Sequence, residues 1–94
     1  MLDRTDADRL AELLEACAAL LDVDRWEPLI ARLPMEIRLR LVRTRPGAVR
    51  LFVLNLVDTC NLYVGGLGGL VEAVRHVEGD TAQMQAVDDF LAER

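Results

Sequence analysis

Two thiols, one imidazole, a run of glycines and a set of arginines are the groups in this chain whose types could support chemistry. Cys17 and Cys60 could act as nucleophiles or metal ligands, but they lie far apart, with no Cys-x-x-Cys spacing and no histidine beside either. Cysteines so placed read as small buried hydrophobes in a reducing compartment, here the cytoplasm. His76 is the only histidine, so any His-dependent dyad would have to use it. No local signature pairs it with a thiol or a threonine, and it reads as a partly exposed helix residue. Gly65-Gly66-Leu67-Gly68-Gly69 could cradle a phosphate at a helix N-terminus. It lacks the Gly-Lys-Ser/Thr ending of a P-loop, follows no strand, and has no basic residue close by. The glycines therefore read as a helix start. Gly68 and Gly69 each weaken that helix by about 1 kcal/mol relative to Ala, with close helix–helix approach as their use. The carboxylates fall at helix starts and on solvent faces, where nothing raises one partner's pKa for acid–base work. The expectation is a chain that is not an enzyme and carries no cofactor or metal.

The elements that position these groups follow from period and punctuation. Ninety-four residues make one domain, 1–94, and 52% apolar residues suffice for a core built mostly from Leu, Val and Ala. A first helix should start at Thr5 or Asp6, with Leu10, Leu13, Leu14, Cys17 and Leu21 as a single apolar stripe. Asp24 then caps a second helix, with Glu27 as its capping-box partner and Trp26, Leu29, Ile30 and Leu33 facing inward. Between Pro34 and Arg43, Ile37-Arg38-Leu39-Arg40-Leu41 alternates with period two, which alone argues for a strand. Pro34 fits a first helical position and Glu36 a first turn, and one short strand would have no partner, so this segment is read as a short helix. After a loop at Thr44-Arg45-Pro46-Gly47, residues Val49, Phe52, Val53, Leu56, Val57 and Cys60 mark a central helix. Leu51 and Leu54 extend its apolar character around much of its circumference. Leu67, Leu70, Val71, Val74 and Val77 define a fifth helix, closed by Gly79 in a left-handed cap. Asp80 with Gln83 opens a sixth, lined by Met84, Val87 and Leu91. The fold class expected is all-α: a compact antiparallel bundle of about six short helices.

Charge is distributed unevenly along these elements. The chain carries a formal net charge of −5 and no lysine. Residues 1–30 hold eight acids and three arginines; residues 31–57 hold six arginines and one acid; residues 58–94 hold seven acids and two arginines. The overall acidity argues against general nucleic-acid affinity, leaving only the Arg-rich segment 38–50 as an alternative nucleic-acid site. Apolar runs are far too short for a membrane span. A basic middle between acidic ends can present opposite surfaces, so that two copies or two related domains join head to tail. The candidate partner-binding residues are Arg38, Arg40, Arg43, Arg45 and Arg50 on one side, and Asp22, Asp24, Asp58, Asp88 and Asp89 on the other. Leu39 and Tyr63 are candidates for an apolar centre, because exposed ion pairs alone are worth about 0–1 kcal/mol each. The competing reading is that the arginines pair internally.

Several segments resemble one family when taken in order. Leu33-Pro34-Met35-Glu36-Ile37 precedes an Arg-rich turn, and Arg50-x-x-Val53-x-x-Leu56-Val57-x-x-Cys60 follows it. Next come Gly65-Gly66-Leu67-x-x-Leu70-Val71-Glu72-Ala73-Val74-Arg75 and Glu78-Gly79-Asp80, with Met84 downstream. Together they resemble the bacterial effector-associated domains, type 2 most closely, over roughly residues 8 to 92. The resemblance implies a death-fold-like, non-catalytic adaptor domain that pairs like with like in bacterial conflict signalling. Its implied partner is a related domain on a trypsin-like or caspase-like protease, a TIR protein or a STAND-type NTPase, and self-association is also implied. Gly68-Gly69 departs from the family's pattern, which more often has better helix formers there.

Overall fold

The computed structural model describes residues 2–41 and 48–93. Among them are seven α-helices, a single 3-10 turn and no strand. The helices are α1 (Arg4–Glu15), α2 (Ala18–Leu21), α3 (Trp26–Ala31), α4 (Met35–Arg40), α5 (Val49–Asn61), α6 (Gly66–Glu78) and α7 (Ala82–Ala92), with the 3-10 turn over Val23–Arg25. This is the expected all-α bundle, with one helix more than the periodicity suggested.

The additional helix comes from a break in the first apolar stripe. Asp3, not Thr5 or Asp6, caps α1, accepting the Asp6 N–H at 2.8 Å. The helix stops at Glu15, and Cys17 turns extended before α2 begins. The break sends Leu20 into the core and leaves Leu21 on the surface, 57% exposed, where an unbroken helix would have kept it on the stripe. It also frees the Ala19 N–H, which donates to Glu78 Oε1 at 2.8 Å. Asp22 then caps the 3-10 turn by accepting from the Asp24 N–H, so Asp24 is not the cap that its spacing to Glu27 suggested.

Helix α5 is the hub. It buries Phe52, Val53, Leu56, Val57 and Cys60 and packs against α1, α2, α4 and α6. Its outer face is less covered than its apolar sequence implied, since Leu51 is exposed and Leu54 half-buried. Trp26 stacks on Phe52 with ring centroids 4.0 Å apart, and its buried Nε1–H donates to the Leu20 carbonyl at 2.8 Å. The N-terminal segment is clasped to the far end of α5: Asn61 accepts from the Leu2 N–H and donates to the Leu2 carbonyl, each at 2.9 Å.

The junction of α6 and α7 departs from its expected chemistry. Gly79 does take a positive φ of 85°, but its ψ of −169° lies in the extended region open almost solely to glycine, not in the left-handed helical cap. The cap of α7 is Thr81, which accepts the Met84 N–H at 3.3 Å, and not Asp80. Thr81 in turn donates its hydroxyl to Glu78 at 2.9 Å. Glu78 thus ties the end of α6 to the starts of both α2 and α7. Glu78→Ala should cost about 1–2 kcal/mol in urea unfolding, because the Ala19 N–H loses its only side-chain acceptor. Glu78→Gln should restore most of that; equal losses for both variants would mean the carboxamide cannot replace the carboxylate and the capping account fails.

Candidate interaction surface

The groups that could do chemistry are not brought together. Cys17 and Cys60 are both unpaired and buried. Desolvation, with the nearby charge of Glu78 as a lesser cause, pushes the Cys17 thiol up to about 11, and desolvation pushes Cys60 up to about 12. A nucleophilic or metal-binding thiol needs the opposite shift. His76 is exposed on α6, beside a small cavity of about 150 Å³ that it shares with Arg32, Glu72 and Ala73. Among the described residues no three His, Cys, Asp or Glu side chains could jointly hold a metal ion. Two shallow grooves of about 310 and 320 Å³ flank the α5–α6 turn, no basic side chain lines either, and Glu36 lines the second.

The surface that does stand out is built on α4. Residues two apart on a helix point about 200° away from each other. The alternating apolar series through this segment therefore splits into two faces. Ile37 and Leu41 turn inward, 1% and 8% exposed; Met35 and Leu39, one turn apart, turn outward, 62% and 80% exposed. The period-two pattern that argued for a strand is here the mark of a helix that is apolar on both sides. Pro34 stands just before the first helical residue, and its carbonyl accepts the N–H groups of Ile37 and Arg38. A helix of six residues has little stability of its own, so Leu33, Ile37 and Leu41 hold it in place by burial. Between α3 and the outward face of α4 runs a groove of about 420 Å³ lined by Glu27, Ile30, Ala31, Met35, Arg38 and Leu39.

Charge reinforces the contrast. Arg4 pairs with Asp8 and Asp58, Arg9 with Glu12, Arg25 with Asp22, Arg50 with Glu15, and Arg75 with Asp88. Arg32, Arg38 and Arg40 are exposed and have no acid within 4 Å among the described residues. Arg38 and Arg40 complement the negative end of the α4 dipole, a role that leaves their guanidinium groups facing solvent.

The sequence model of effector-associated domain 2 matches residues 11–92 of the chain. The chain belongs to that family. No curated protein and no solved structure matches it. In this effector-associated domain the ten residues nominated from sequence fall into four groups. Arg38 and Arg40 flank the exposed Leu39 on α4, while Arg43 and Arg45 lie outside the described residues. Arg50, Asp58, Asp88 and Asp89 are engaged within the domain, with Glu15, Arg4, Arg75 and Gln85 respectively. Asp22 shares the Arg25 guanidinium at 3.5 Å, whereas Asp24 is exposed beside it on the 3-10 turn. Among the described residues some arginines thus pair internally and others do not. Tyr63 is half-buried against the core and contributes less open surface than Leu39. Met35, Leu62 and Val64 were missed; they are 62%, 64% and 108% exposed. The signal for Met35 was its i, i+4 spacing to Leu39. No helix among the described residues is long and apolar enough to cross a membrane.

Proposed function

We propose that this effector-associated domain is a non-catalytic adaptor. It pairs with a related domain on a protease, TIR or STAND-type NTPase protein and so brings effector and sensor together in bacterial conflict signalling. The setting is the cytoplasm and the logic is that of death-like adaptor domains. The observation that carries this reading is the two-faced α4. It exposes Leu39 between two arginines without ion-pair partners among the described residues, above an apolar groove, on a family member whose other potential chemistry is dispersed or buried. An apolar anchor ringed by arginine is what a protein-binding hot spot requires. Ion pairs at its rim would add steering and selectivity more than affinity.

Titration calorimetry against the effector-associated domains encoded beside this chain tests the reading. Leu39→Glu should weaken binding at least about tenfold, the effect of losing one central apolar contact. Its thermal midpoint should stay near that of the unaltered chain, because Leu39 contributes little to the core. Undiminished affinity in a folded Leu39→Glu variant would remove α4 from the binding face, and an unaltered chain with no affinity for any of these domains would overturn the reading.

A further inference from the structure

Sulfur is the element of a side chain that oxidants reach most readily, and this chain holds three methionines and two cysteines. Met84, Cys17 and Cys60 are buried in the core. Burial also keeps both thiols neutral, whereas the thiolate is the form that oxidants attack. Trp26, another oxidisable side chain, is buried as well. Met35 is therefore the one exposed sulfur among the described residues, which do not include Met1. Its position is not incidental. It lines the groove between α3 and α4, one turn before Leu39 and three residues before Arg38, which line the same groove.

We propose that Met35 is an oxidation switch for the α4 groove, in which a peroxide converts the thioether to the sulfoxide and closes the groove to its protein partner. The switch rests on the adaptor reading above and supplies its regulation. A lone pair on the Met35 sulfur attacks one oxygen of hydrogen peroxide. The O–O bond breaks as the S–O bond forms, and the departing hydroxide takes the proton of the transferred hydroxyl and leaves as water. The sulfur loses the electron pair that the peroxide gains. An apolar, pliable side chain thereby becomes a polar one whose oxygen calls for a hydrogen-bond donor. An apolar partner docking on the groove then strips water from that oxygen, and the desolvation counts against binding. Arg38 sharpens the effect. Residues three apart are neighbours on a helix surface, and Arg38 has no acid within 4 Å among the described residues. A guanidinium that donates to the sulfoxide oxygen is no longer offered to a partner's acid. The fold takes no part in the change, because Leu33, Ile37 and Leu41 hold α4 by its opposite face. Sulfoxide reductases reverse the step, so the groove is closed and not destroyed.

Trypsin places the three methionines in separate peptides, 1–4, 33–38 and 76–94, so each oxidation is read by itself. The full chain is treated with hydrogen peroxide, catalase removes the excess, and the product is digested for mass spectrometry. Peptide 33–38 should gain an oxygen well before 76–94, which should follow only when urea unfolds the chain. In calorimetry the oxidised chain should bind the effector-associated domains encoded beside it about tenfold more weakly than the untreated chain, with an unchanged circular dichroism spectrum. Sulfoxide reductase should restore the affinity. In Met35→Leu, peroxide should leave the variant's own affinity where it was, whatever its starting value. Equal oxidation of 33–38 and 76–94 in the folded chain would overturn the switch. So would an oxidised chain that binds as tightly as the untreated one, or a Met35→Leu variant as sensitive to peroxide as the unaltered chain. An untreated chain that binds none of these domains is a different result: it overturns the adaptor reading, and the switch falls with it.

Discussion

Replacing Gly66 by Ala is expected to cost about 3 kcal/mol of folding stability or more, a large share of the 5–15 kcal/mol available to a domain of this size. Gly66 opens α6 directly under the end of α5, and a Cβ built on it would stand 2.1 Å from the Cys60 carbonyl oxygen. That oxygen is backbone, and it already accepts the Tyr63 N–H at 3.2 Å, so it has no rotamer by which to withdraw. Relief requires the first turn of α6 to move off α5, which loosens the packing around Leu56, Cys60 and Leu70. Gly65 beside it has the other requirement, a φ of 75°, so two adjacent glycines answer two separate needs. Gly68 makes the control. A Cβ there meets nothing within 4 Å, and at Gly69 it meets only the Pro34 ring at 3.5 Å. Neither glycine permits a close helix–helix approach, contrary to expectation from sequence. Gly68→Ala should therefore gain up to about 1 kcal/mol from helix propensity. Urea midpoints that move the same way for Gly66→Ala and Gly68→Ala would show that the close contact at Cys60 does not limit the fold.

Much of the fold was legible because its signals were local. The stripe Phe52, Val53, Leu56, Val57, Cys60 states a central helix in any context, and α5 is the hub. What the sequence could not display was a choice between neighbours. Leu20 and Leu21 are equally apolar; the break between α1 and α2, which no periodicity marks, decides that Leu20 is buried and Leu21 is not. Asp80 and Thr81 are both good N-caps, and the choice went to Thr81 because Glu78 receives its hydroxyl. The candidate surface shows the same division. Segregation of charge marked the region of Arg38 and Arg40, yet Arg50 in the same segment closes on Glu15 at 2.7 Å across more than thirty residues. Pairing over that separation depends on the α1–α5 packing angle, which no spacing rule contains. The exposed pair Met35 and Leu39 was visible in principle. The alternation was weighed as strand against helix, when the informative question was which apolar face of a helix the core would leave uncovered.

Raising the pH should unfold this domain through its two cysteines. Each thiol is held neutral by burial, with folded values of about 11 for Cys17 and about 12 for Cys60 against an ordinary value of 9. Between the ordinary and the folded value, the unfolded chain has released the proton and the native chain has kept it. The native state then binds more protons, so stability falls as pH rises. The contribution of each thiol is fully present below pH 9 and is lost progressively up to its folded value, at about 1.4 kcal/mol per pH unit while both limits hold. By pH 11 the two thiols together remove on the order of 5 kcal/mol, comparable with the whole stability of a small domain. Urea midpoints measured from pH 8 to pH 10.5 should decline accordingly. In a Cys17→Ala/Cys60→Ala variant the decline should be much shallower, even though its starting stability is lower for want of two buried side chains. The same burial makes alkylation at pH 8 wait on opening of the fold, so its rate in the native protein should follow urea-induced unfolding and not the intrinsic reactivity of the thiol. Rapid labelling of Cys60 without added denaturant would show that the α5–α6 junction opens independently. The close approach of Gly66 to Cys60 would then be the first contact to break.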